Sequence, residues 1–142
     1  MGYYSSVALV IPGVNTTAYT DADAFGTNIA IDDMPARGQI QSIRISDLPD
    51  AVQNIDVIFS RASITSTNNV ALDLTDALAN DSVIGVVLVD TWATFADNAI
   101  GTETNIGLPY NVKGSLNIQL VTRGAITLAT GDAPTIVLGI EY

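Results

Sequence analysis

The chain is 142 residues long, contains neither histidine nor cysteine, and sets 15 acidic residues against 5 basic ones for a formal charge of −10. The missing residue types exclude the neutral-pH proton shuttle, zinc knuckles, iron–sulfur ligation, thiolate nucleophiles and disulfide staples, and the carboxylate excess repels a phosphate backbone, so no nucleic-acid partner is expected. The length suits a single domain, 1–142, while 48% apolar against 14% charged residues, with a mean hydropathy of +0.35, points to apolar surface shared with a partner.

The chain opens on a neutral stretch, Gly2-Tyr3-Tyr4-Ser5-Ser6. Residues 1–6 read either as a disordered end or as an amino-terminal docking arm, since paired tyrosines bury much area for little side-chain entropy. No basic residue precedes the very short apolar run Val7 to Ile11, so no secretory signal peptide is expected there. That run is a short strand candidate, ended by Pro12-Gly13.

Asp21-Ala22-Asp23-Ala24-Phe25-Gly26, with Asp32 further on, touches the calcium-loop pattern. Phe25 stands where an oxygen ligand belongs and the flanks read as strands. An acidic turn before a strand at Thr27 to Ile31 is the better reading, with no metal or other cofactor.

Asp32-Asp33 marks the next turn, Ile43 and Ile45 the next strand face, and Asp47-Leu48-Pro49-Asp50 the turn after it. Ile55, Val57 and Phe59 alternate as a further strand, followed by a turn at Asn68-Asn69. Asp73 to Asn80 is the one helix-like stretch, with Asp73 as its cap and Leu74 and Leu78 four residues apart. Val83 to Val89 is apolar on both faces and reads as a central strand; it falls far short of the roughly 20 residues that cross a bilayer, so no membrane partner is expected.

Asp90 to Asp97 sets the only tryptophan, Trp92, beside Phe95 and two carboxylates. Such a group fills the end of a core, forms a subunit contact, or offers a platform to a sugar. Leu108-Pro109 reads as a turn. From Ser115 to Arg123, Leu116, Ile118 and Leu120 alternate with Ser115, Asn117 and Gln119, a half-buried strand with one polar face. Ala125 to Ala129 is a short strand candidate and Gly131-Asp132-Ala133-Pro134 a turn. Ile136, Leu138, Ile140 and Tyr142 alternate with Thr135, Gly139 and Glu141 in a last strand.

Many short strands with at most one short helix make the chain mainly β: an antiparallel two-sheet β-sandwich, jelly-roll-like. Paired carboxylates serve glycoside hydrolysis, but 15 acidic residues make chance pairs inevitable, and no enzymatic activity is expected.

The succession Gln39-Ser42-Ile43, Ile55 to Phe59, Val83-Ile84-Gly85-Val86-Val87, Trp92, Phe95-Ala96-Asp97-Asn98, Ile106-Gly107-Leu108-Pro109-Tyr110, Leu120-Val121-Thr122-Arg123-Gly124 and Leu138-Gly139-Ile140 resembles a group of small tailed-bacteriophage virion proteins, described as capsid decoration, cement or head proteins. The resemblance runs from about Tyr19 to the end. It implies a β-rich structural protein, made in the host cytoplasm, that assembles as a homo-oligomer, a trimer first, on the exterior of the head against the major capsid protein. There are no catalytic residues to carry over. Tyr3, Tyr4, Trp92, Phe95 and Tyr110 are the candidate capsid or subunit contacts. The alternative is a carbohydrate-binding module, or a head-fibre or tail component, that meets host glycans through Trp92 and Phe95.

Overall fold

The computed structural model describes residues 1–6, 8–49 and 54–142. Ten strands and one helix follow in order: β1 Tyr3–Ser5, β2 Leu9–Val10, β3 Ala24–Ile31, β4 Arg37–Leu48, β5 Asn54–Ser60, α1 Asp76–Asp81, β6 Val83–Val89, β7 Trp92–Thr94, β8 Ala99–Asn111, β9 Leu116–Arg123 and β10 Thr135–Glu141. Every pairing is antiparallel and the pairs nest: β1 and β2 on β10, β3 on β9, β4 on β8, β5 on β6. The chain is arranged like one long hairpin, closed between β5 and β6, wrapped over into two layers. This is a jelly-roll sandwich. The first sheet runs β1-β10-β4-β8-β7 with β2 also on β10, and the second runs β3-β9-β5-β6.

Period-two alternation sends one side of each long strand into the space between the sheets. Ile40, Ile43, Ile45, Ile136, Leu138 and Ile140 enter it from the first sheet, and Phe25, Ile55, Val57, Phe59, Leu116, Ile118 and Leu120 from the second, none more than 1% exposed. Tyr19 and Phe25 meet there with ring centroids 4.9 Å apart and planes tilted by 51°.

Several expectations require correction. Val83 to Val89 is not a central strand: among the described residues β6 pairs with β5 alone and forms the edge of the second sheet. Its outer face is apolar because Val86 and Leu88 point away from the core. The polar face of β9 is not solvated either, since Asn117 and Gln119 are both buried. Leu108-Pro109 is no chain reversal but part of β8, the longest strand. There Ile40 pairs with Leu108 and Ser42 with Thr104, so β8 carries its surplus residues as a bulge through Asn105 and Gly107, whose φ angles are 56° and 66°.

The helix begins later than expected. Thr75, rather than Asp73, caps it, its hydroxyl accepting from the Leu78 N–H at 3.3 Å. Ala125 to Ala129 forms an isolated bridge between Ile126 and Tyr19 rather than a strand. β4 continues through Asp47 to Leu48, and Val7 and Asp50 lie outside the described residues.

Candidate functional site

Three of the five candidate aromatics meet at one corner of the first sheet. β1 sets Tyr3 opposite Glu141 and Tyr4 opposite Ile140, so the alternation turns Tyr4 inward and Tyr3 outward. Tyr4 packs against the core and its hydroxyl donates to the Asp33 carbonyl. Tyr110, 4% exposed, donates its hydroxyl to the Pro35 carbonyl at 2.8 Å. Two phenols therefore hold two carbonyls of the β3–β4 connection. Burial first, and the neighbouring Tyr4 second, push the Tyr110 phenol up to about 12 from its ordinary 10.0. Tyr3 alone of the three faces solvent, at 67% exposure.

The segment expected as an arm is thus an edge strand of its own molecule. Beyond the three β1 pairs, Gly2 and Tyr142 exchange backbone hydrogen bonds of 2.5 and 3.0 Å. The Tyr3 phenol and Ser42 lie over Gly139, leaving no space for a Cβ there.

The other two aromatics sit across the sheet. Trp92, on β7, lays its indole over Gly101 of β8, where a Cβ would come within 2.5 Å of the ring. Its Nε1 is buried without a hydrogen-bond partner. Phe95, 58% exposed, stands at the tip of the β7–β8 hairpin, which the Phe95 N–H closes onto the Asn98 carbonyl at 2.7 Å. A carboxylate oxygen of Glu103 accepts from the Asp90 and Thr91 N–H groups at 3.1 and 3.3 Å and fixes the link from β6. Along β4, the β1 corner falls at Gln39 and the β7 corner at Leu48. Tyr3 and Phe95 therefore occupy diagonally opposite corners of one sheet, and the five candidates do not form a single site.

Sequence reasoning missed the outer face of the second sheet. There Ile58, Val86 and Val121, with Leu72 and Leu74 from the β5–α1 connection, line a groove of about 220 Å³ whose rim carries the Arg123–Asp56 ion pair at 2.6 Å. Beside it the polar side chains of β9 are satisfied by the covering 61–74 segment and by β3. Gln119 accepts from the Ser66 hydroxyl at 2.7 Å and donates to the Gly26 carbonyl at 3.2 Å, while Asn117 accepts from Asn28 at 2.9 Å. The Asn68 side-chain Oδ1 accepts from both the Tyr19 hydroxyl and the Gly26 N–H at 2.8 Å. Two β-strand glutamine and asparagine side chains look solvated in sequence. Only the path of the 61–74 segment across them makes them interior.

The acidic turn uses its carboxylates internally. Asp23 accepts from the Thr20 N–H at 2.7 Å and from its hydroxyl at 3.0 Å, and Asp32 accepts from Ser115. Among the described residues no group of three or more acidic side chains is placed to hold a metal, and no helix is long and apolar enough to cross a membrane. Compared with known families and with curated proteins, the sequence matches none.

Proposed function

We propose that the protein is a virion structural protein of a tailed bacteriophage, a capsid decoration (cement) protein that binds the outside of the head and bridges capsomers against the major capsid protein. The observation that carries this reading is the placing of Tyr3 and Phe95, two exposed aromatics, at opposite corners of one rigid sheet. A clamp needs contacts at two separated points on a stiff body, and several modest contacts then add through effective concentration. The resemblance of its strand and turn sequences to small phage head proteins points the same way. A net charge of −10 suits a position outside the shell, away from packaged DNA.

The test is co-sedimentation of the purified protein with heads of the encoding phage that lack it. Tyr3→Ala and Phe95→Ala should each leave the fold intact by far-UV circular dichroism, because both side chains are mostly exposed and lie outside the core. Each should cost on the order of 2 kcal/mol of capsid binding if the ring is a buried anchor there. If both variants decorate heads as the parent does, neither corner is a contact.

A further inference from the structure

An edge strand presents a row of backbone N–H and C=O groups that can be satisfied by another strand, and proteins usually protect such an edge with lysine, proline or an inward charge. β6 carries none of these. Its seven residues, Val83-Ile84-Gly85-Val86-Val87-Leu88-Val89, are uncharged and apolar throughout, in a chain of net charge −10. Among the described residues its backbone pairs only with β5. On its outer face Val86 and Leu88 are 54% and 43% exposed.

Two of these facts select the occupant. The backbone edge fits an extended strand and little else. Charge then favours a second copy of this chain here, because over most of so acidic a surface two copies repel one another, whereas along β6 no carboxylate would stand opposite another. We propose that two copies pair antiparallel through β6 about a two-fold axis at Val87, joining their second sheets into one continuous sheet.

That register matches the exposed residues. Val86 of each copy lies opposite the partner subunit's Leu88, on the same outer face. Moving the axis to Leu88 would set Val86 against the partner subunit's Asp90. Moving it to Val86 would set Leu88 against the partner subunit's Ile84, where the β5–β6 register shifts. With the axis at Val87, the outer row reads Asp56, Leu88, the partner subunit's Val86, then the partner subunit's Ile58. Its one carboxylate lies at the far end, already paired with Arg123. The contact is isologous and closes as a dimer, where the resemblance to phage head proteins implied a trimer. It does not depend on the capsid reading.

Sedimentation equilibrium of the whole chain at high micromolar concentration tests the pairing. The parent should behave as a dimer, twice the 14.9 kDa of one chain. Val86→Lys with Leu88→Lys sets like charges directly opposite each other and should weaken dimerisation by about a hundredfold or more, while Val70→Lys, at an exposed site elsewhere, should not. Amide exchange gives a second readout that needs no variant: protection within 83–89 should rise with protein concentration. A monomeric parent, an oligomer unaffected by the paired lysines, or exchange in β6 that ignores concentration would overturn the proposal.

Discussion

Single residues carry much of the specificity of this fold. Ala22 holds φ at 70°, a region that costs an L residue roughly 1 kcal/mol, while its N–H bonds the Thr122 carbonyl. Ala22→Gly keeps that bond and releases the strain, so thermal unfolding should show stabilisation of up to about 1 kcal/mol, offset in part by the extra freedom of glycine in the unfolded chain. Gln119, fully buried, behaves oppositely. Gln119→Ala leaves Ser66 and the Gly26 carbonyl without their partner and opens a cavity, a loss of about 2–4 kcal/mol by denaturant titration. Gly101→Ala should push the sole indole off β8, visible as a red shift of tryptophan emission. Tyr110 makes the molecule sensitive to alkali. Because the folded state raises its pKa to about 12 from 10.0, its contribution is complete below pH 10 and is lost as pH climbs toward 12. In thermal melts Tyr110→Phe should therefore flatten the decline over that range.

Elements were legible wherever one face alternates cleanly. Ile55, Val57 and Phe59 mark β5, and Ile136, Leu138 and Ile140 mark β10, because a period of two with one apolar face has no competing reading. Two kinds of information were missing elsewhere. The position of a strand within its sheet is set by partners far away in the chain, so an all-apolar β6 looked central although it lies at an edge. Likewise, the covering of a polar face by a loop left no mark in β9 itself. Pro109 misled for a local reason: proline near glycine signals reversal, but here a bulge absorbs the irregularity and the strand goes on. Of the candidate contacts, aromatic character drew attention to all five, yet only the folded pairing separates Tyr3 and Phe95, which face solvent, from Tyr4, Trp92 and Tyr110, which brace the sheet.

At the scale of the molecule, the two-layer sandwich with its nested strand pairs sets two of its exposed aromatics, Tyr3 and Phe95, at opposite corners of one sheet. Asp23 and Asp32 each turn one carboxylate oxygen to a neighbour within the fold, Thr20 and Ser115, and the expectation remains that folding needs no bound ion. A chelator should accordingly leave the melting temperature unchanged, and a fall of several degrees restored by calcium would reassign the Asp21 turn as a metal site. The central claim, that the protein clamps the outside of a phage head, is tested most directly by a cryo-EM reconstruction of heads saturated with the purified chain. The account predicts density for the sandwich on the outer surface at the junctions between capsomers, with the Tyr3 corner and the Phe95 corner resting on different capsid subunits. Heads that remain bare at saturating protein would contradict it.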